Sequence, residues 1–451
     1  MNLIKKYIKI PINNYIKKKE EKYLDDKKPD YILFYLSSSL IICSVIIAYS
    51  LSIYTVVIFD YSQFHFFIRQ LATGMLGIFI MWILSQMKPD EIIEGIGWML
   101  FGIFLFLMIL MSFNLVPMTE SGGANRWIRL PLVSIAPIEF FKIGFIFLLA
   151  FSFQRKLVDL PKVKFIEEVK ILIPHIIVFM FALYFIAVEQ KDFGQTLVLI
   201  SVLFILLLFA NRSWKLFLSL FSIGVAGAVL LILYAPHRIN RIKDWWAMNQ
   251  DSVLYLVSYI SKDLAEFLRV DAVSLSQQVN NSLNAMYNGG FFGVGLGEGA
   301  LKLGFLAEVH TDFVLAGLTE ELGLLGFLFI LTILSFILIR IFEISKHTLN
   351  VRYHLFTLGI AIMIIMSFII NSFGISSIIP MKGIAVPFLS YGGSSILSIS
   401  IAIGMVLSIS REVDFDKTKF FIKSDEKKVR KNSKRRSIRN IIGKRGKNIA
   451  K

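Results

Sequence analysis

Uninterrupted apolar runs of roughly 20 residues recur along this chain, each long enough to cross a hydrocarbon layer about 30 Å thick. About ten are present, near 31–53, 64–86, 92–113, 138–153, 171–188, 194–210, 214–235, 313–341, 355–376 and 391–410. Backbone in lipid has no water to satisfy its N–H and C=O groups, so each run is predicted to be a helix. The composition agrees, with 56% hydrophobic and 18% charged residues and a mean hydropathy of +0.68. That balance excludes a water-soluble domain. The expected fold is all-α and polytopic, with about ten transmembrane helices.

The charges that do occur set the expected orientation. Residues 1–29 carry nine Lys and no Arg, and the tail from Arg411 onward carries sixteen Lys plus Arg. The turns holding Arg155, Lys156, Lys162 and Lys164, then Arg212 and Lys215, then Lys346 and Arg352, are basic too. With ten spans these segments share one side, and the positive-inside rule places both termini in the cytoplasm. The expected division is a basic tail at 1–29, a membrane domain at 30–410 and a second basic tail at 411–451. Most of the net charge of +16 then reads as a topology signal. Anionic membrane lipids, and no nucleic acid, are the expected partners of the 434–447 cluster. The first thirty residues are too charged for a cleaved signal peptide.

One connection is out of proportion. About 75 residues, 237–312, separate the seventh and eighth runs, and on this topology they face outside. Membrane-protein loops of that length are functional or disordered, and the mixed charges and aromatics argue against disorder. Trp245, Trp246, Phe291 and Phe292 suggest a surface for a partner protein. The loops at 114–137, 189–193 and 377–390 gather the remaining unusual polar residues at the same face.

Several side chains there can carry chemistry. Asp312 follows His310 at the mouth of the eighth run, where desolvation would make a carboxylate a better base; it also suits a helix N-cap. Glu139 and Lys142 stand three residues apart on one helical face, as an ion pair that is either structural or functional. Arg126 beside Trp127 suits a phosphate or sugar contact, or an interfacial anchor. Asp192 is a loop residue or a helix start. The glycines from Gly289 to Gly299 lack the βαβ setting of a nucleotide site and predict a tight turn that places Lys302 and Glu308. Pro380 to Ser395, with Lys382, predicts an irregular lead into the last helix. Cys43 is alone and the six His are scattered, so no metal site is expected.

Taken together the chain resembles the SEDS family (shape, elongation, division and sporulation) over about Asp30 to Ser410. The resemblance rests on Gly123-Ala-Asn-Arg126-Trp127, Pro137-Ile-Glu139-Phe-Phe-Lys142, Asp192-Phe-Gly194 and Gly289-Gly290-Phe-Phe-Gly293-Val-Gly295. It also rests on Glu308-Val-His310-Thr311-Asp312-Phe313 with Glu320-Glu321-Leu-Gly323, and on Pro387 to Ser395. The short run from Gly293 to Asp312 and Lys382 in Pro-Met-Lys-Gly-Ile resemble the division (FtsW-like) branch more than the elongation (RodA-like) branch. Ala307, Lys191 and Ala385 stand where the family usually has Pro, and Ile138 replaces a small polar residue.

The resemblance implies a peptidoglycan glycosyltransferase of the inner membrane, enriched at the septum, that polymerises lipid II with inversion. Asp312 would be the catalytic base. Arg126 and Lys142, with Lys302 and Lys382 in weaker roles, would hold the diphosphate. Glu139 would orient Lys142, and His310 would support Asp312. Trp127 and Asp192 join the substrate-binding set, and a divalent cation (Mg or Mn) at Asp192 or Asp312 is left open. The implied partners are a class B penicillin-binding protein (a transpeptidase) and other division proteins. A lipid II flippase and a non-enzymatic division scaffold are the rival classes.

Overall fold

A computed structural model describes residues 28–121, 124–129, 134–155, 165–209, 214–234, 236–271, 277–306 and 309–413. Nearly all of the two basic tails, and Glu308, lie outside the described residues.

Each apolar run is a helix. In chain order these are α1 (Tyr31–Leu51), the short α2 (Ile53–Ile58), α3 (His65–Gln86), α4 (Pro89–Ser112), α5 (Pro137–Phe153), α6 (Phe165–Tyr184), α7 (Phe193–Phe209) and α8 (Trp214–Leu233). After the long connection come α12 (Val314–His347), α13 (Val351–Ile375) and α14 (Gly393–Ser410). Local chemistry sets several starts. The Asp30 carboxylate accepts from the Leu33 N–H at 3.0 Å to cap α1. Prolines open α4 and α5, where a missing N–H costs nothing, and acidic residues follow in both first turns. Asn350 caps α13 by accepting from Arg352 N–H at 3.0 Å.

By length and composition α1, α3, α4, α12, α13 and α14 are long and apolar enough to cross a membrane. The apolar stretches Ile176–Glu189, Phe193–Phe209 and Lys215–Gly227 are shorter. The centre is α5, buried on nearly every side from Phe140 to Phe153 and packed against α4 and α13. In contrast α12 leaves Leu324, Leu328, Phe329, Phe336 and Ile339 exposed, an apolar face suited to acyl chains.

The two ends of the bundle differ. At one end Asp30, at the head of α1, is 2.5 Å from Arg340 of α12, and Arg352 of α13 is 3.1 Å from Glu94 of α4. At the other end the described residues of the connections 113–136, 185–192, 234–313 and 376–392 interlock. The first forms a small antiparallel sheet, β1 (Met118–Ser121), β2 (Ala124–Arg129) and β3 (Ser134–Ile135), paired in that order. The long connection is folded, with α9 (Pro236–Ser258), α10 (Lys262–Leu268) and α11 (Gln277–Gly289).

The glycine segment turns around a break in α12. At Gly323 the helix leaves helical geometry with φ +68°, and a side chain there would strike the Gly293 nitrogen. Backbone from 290–295 fills the gap. Leu324 N–H donates to Gly290 O at 3.0 Å, and Val294 N–H donates to Glu320 O at 3.0 Å. Peptide groups freed by the break are satisfied this way without water, which an interrupted helix near lipid requires. The expected turn thus positions Lys302, which lies just beyond it.

Candidate active site

A cavity of about 580 Å³ opens at the interlocked end, a volume suited to a small polar headgroup. Its walls come from β2, the first turn of α5, the 191–195 segment, α9, the residues around Asp312, and the 377–395 segment. Among the residues singled out by sequence, Arg126, Trp127, Glu139, Asp192, Asp312 and Lys382 line it.

Asp312 is half-exposed on this wall. The N-cap position of α12 is Phe313, with no side-chain cap bond, so the capping role does not fall to Asp312. Asp192 is the opposite case. Its carboxylate caps α7 by accepting from Gln195 N–H at 3.1 Å, and it stands 3.7 Å from Arg126 Nε. Burial raises its pKa, while Arg126 and the Gln195 N–H pull it back down. A divalent cation at Asp192 would have to compete with both partners.

Arg126 braces the same turn, donating from Nη2 to Lys191 O at 3.0 Å and from Nε to Gln190 O at 3.3 Å. Lys191 holds φ +51°, a conformation closed to proline, so the lysine at this position shapes the turn that Arg126 grips. Glu139 accepts from Gln195 Nε2 at 2.9 Å and pairs with Lys142 at 3.1 Å. Lys142 is only 5% exposed and does not line the cavity, so its ammonium lies behind Glu139.

One expectation is corrected. Lys302 was expected near a diphosphate, but it is 1% exposed and its ammonium pairs with Glu321 at 2.6 Å, away from the cavity lining. Its remaining N–H groups go to Gly297 O at 2.7 Å and Ser50 O at 3.2 Å, so it stitches α1 to α12. His310 was expected to support the Asp312 carboxylate. Its ring packs against Phe66 at 5.0 Å and Tyr391 at 5.5 Å, and its carbonyl accepts from Tyr391 N–H at 2.8 Å.

The structure adds cations that sequence reading missed. Arg238 and Arg241 line the cavity from α9, together with Asp244, Trp245 and Met248. Spacings of three and four residues put 238, 241, 245 and 248 on one helical face. Treating 237–312 as loop hid that pattern. Arg238 lies over the Phe193 ring at 5.5 Å, and Lys382 Nζ approaches the same ring at 4.9 Å. Burial, then the positive charges of Arg241 and Arg238, hold the Lys382 amine down at about 8, with Asp192 opposing them. Three cations gathered on one wall make a site for an anion. Arg241 is exposed and makes no ion pair among the described residues.

Trp245 and Trp246 were expected to face a partner. Their indole N–H groups donate to Ser377 O at 2.8 Å and Leu268 O at 2.9 Å, so both help to fold the connection. Phe291 and Phe292 do stay exposed, at 54% and 78%.

Comparison with known proteins gives one consistent result. Residues 30–414 match the FtsW/RodA/SpoVE family, described as cell cycle protein. A Helicobacter pylori (strain ATCC 700392 / 26695) protein named probable peptidoglycan glycosyltransferase FtsW is 45% identical over 384 residues, covering 85% of this chain and 98% of its own. A Bacillus subtilis (strain 168) protein of the same name is 30% identical, with 92% of this chain and 98% of that one covered. The fold is shared with a chain solved in a study of the structural coordination of polymerization and crosslinking by a peptidoglycan synthase complex. That match has a TM-score of 0.61 at 20% identity, over 85% of this chain and 98% of the other. Thermus thermophilus rod shape determining protein RodA matches with a TM-score of 0.57 at 19% identity, over 85% and 97%.

Proposed function

The chain belongs to the FtsW/RodA/SpoVE family of cell cycle proteins, and from that premise we propose that it polymerises lipid II into peptidoglycan glycan strands. It is an integral membrane protein. One observation carries the catalytic reading: a single cavity holds the half-exposed Asp312 carboxylate together with Arg238, Arg241 and Lys382. Glycosyl transfer from a diphosphate needs both. As the 4-hydroxyl of the incoming sugar attacks C1 of the growing strand, Asp312 takes its proton. The bond from C1 to the diphosphate oxygen breaks on the opposite face, and the departing charge is met by the guanidinium and ammonium groups. Arg126 and Glu139 keep the wall in shape, the first through the 190–192 turn and the second through Gln195 and Lys142. Trp127 adds a half-buried ring to the lining.

Purified protein supplied with lipid II should yield polymer, and more of it with a cognate class B transpeptidase. Transfer of labelled lipid II across vesicles with no polymer in either arm would favour the flippase instead. The FtsW name of the relatives favours septal synthesis over elongation.

The basic distribution supports cytoplasmic tails at 1–29 and 411–451 on a 30–410 membrane domain, with the cavity outside. A cysteine introduced at Tyr259, after removal of Cys43, should react with an impermeant maleimide from the outside. Labelling only from the cytoplasmic side would reverse the orientation. A transpeptidase that reads this face would meet Phe291 and Phe292 rather than the two tryptophans. Loss of co-purification after Phe292→Ala, with Trp246→Ala neutral, is the expected result.

Lys382 gives the reading a pH signature. Its lowered pKa means that the cation is present below about 8 and lost above it. For the free enzyme kcat/KM should therefore fall as pH rises through about 8, well below the range of an ordinary lysine. Lys382→Arg should carry the plateau to higher pH. A flat profile up to pH 10 in the parent would remove Lys382 from diphosphate binding.

A further inference from the structure

Three successive backbone carbonyls lead into α12, and each is held by the segment between α13 and α14 or by α13 itself. His310 O accepts from Tyr391 N–H at 2.8 Å. Thr311 O accepts from Ser390 Oγ at 2.7 Å, and Asp312 O accepts from Asn371 Nδ2 at 2.7 Å. Both donor side chains are themselves anchored. Asn371 Nδ2 also donates to Ile384 O at 2.8 Å, and Ser390 Oγ accepts from Val386 N–H at 2.7 Å. Asn371 is 0% and Ser390 1% exposed, so water does not compete for these bonds.

Asn371 shows which half of its amide matters. Its Oδ1 is buried with no hydrogen-bond partner among the described residues, an arrangement that costs stability. An amide kept there at that cost is kept for its N–H donors, and those reach the backbone at Asp312 and at Ile384. One nitrogen thus ties the Asp312 turn to the segment that carries Lys382.

The carboxylate itself is shaped by the same segment. A Cβ added at Gly383 would overlap Asp312 Oδ2. The φ of Gly383 is not in the left-handed region, so backbone conformation does not demand glycine here. What demands it is the space taken by the carboxylate.

We propose that Asn371, Ser390 and Gly383 are positioning residues for Asp312: two fix its backbone and the third leaves room for its carboxylate. The proposal rests on the reading of Asp312 as the base. Displacement of a reacting group by about 1 Å costs on the order of a hundredfold in rate. A Cβ at Gly383 would overlap Oδ2, and its three nearest atoms all belong to the Asp312 carboxyl group, so the carboxylate is what has to shift.

The test is steady-state polymerisation of lipid II by full-length Gly383→Ala, Ser390→Ala and Asn371→Leu, with the melting temperature in detergent measured alongside. Gly383→Ala is expected to lower kcat at least tenfold, with KM within about twofold of the parent and melting unchanged. Ser390→Ala should show the same split to a smaller degree. Asn371→Leu keeps the branched outline, though with greater bulk, and deletes both donors; if it fails to fold, Gly383→Ala still decides. Parental kcat in Gly383→Ala, or losses that simply track the melting temperature, would overturn the positioning role. Asp312→Asn run in parallel separates the two levels. An inactive Asp312→Asn beside a fully active Gly383→Ala sinks the positioning role alone, while an active Asp312→Asn sinks both.

Discussion

Asp312→Asn lowers lipid II polymerisation by about a hundredfold or more, the range expected when a general base is removed. The variant should insert, fold and melt like the parent. Asparagine keeps the shape of the side chain, so it fits beside Gly383 as the carboxylate does. It cannot take a proton from a sugar hydroxyl near neutral pH. Asparagine is also as good an N-cap as aspartate, so a purely structural Asp312 would tolerate it. The structure already places Phe313 at the cap position, which sharpens the contrast. The measurement is polymer formed per milligram of monodisperse protein, over a time course long enough to see a hundredfold loss. Parental rates in Asp312→Asn would end the general-base reading.

The helices were legible because lipid removes the alternatives. A run such as 355–376 admits one conformation in hydrocarbon, and α13 occupies Val351–Ile375. The same logic fails for 236–258, which is rich in charge and contains no long apolar run. Its helix shows only in the spacing of Arg238, Arg241, Trp245 and Met248, a pattern that a loop reading overlooks. That single omission hid two of the cations in the cavity.

Sequence named residues of the site more reliably than it named their partners. Glu139 and Lys142 are neighbours in sequence and on the helix, so their pairing followed from spacing alone. The bond from Asn371 to the Asp312 carbonyl spans 59 residues, and no local pattern announces it. Asn371 did offer one signal, as an amide near the end of an apolar run, a costly place for an idle polar group. Lys302 misled for the opposite reason. A lysine among glycines before a span reads as exposed, and only the fold shows Glu321 waiting for it.

Glu321→Ala is the substitution expected to damage folding most. Lys302 and Glu321 are 1% and 3% exposed, and the ammonium has no route to solvent once its partner is gone. Ser50 Oγ, which donates to Glu321 at 2.6 Å, loses its acceptor at the same time. Stranding a buried charge in this way costs about 3–5 kcal/mol, enough to unfold a marginal protein. Replacing both members by apolar groups of similar volume is far less harmful, because no charge is left behind. The expected order of melting temperatures in detergent is therefore parent, then Lys302→Met with Glu321→Met close behind, then Glu321→Ala well below both. The double variant also bears on chemistry. Neither residue lines the cavity, so its folded fraction should polymerise lipid II at close to the parental rate. A stable double variant with no polymerisation would return Lys302 to the diphosphate site, against its burial and its bonds to Ser50 and Gly297. A Glu321→Ala protein as stable as the parent would show instead that water reaches the ammonium, and the buried pair would lose its structural role.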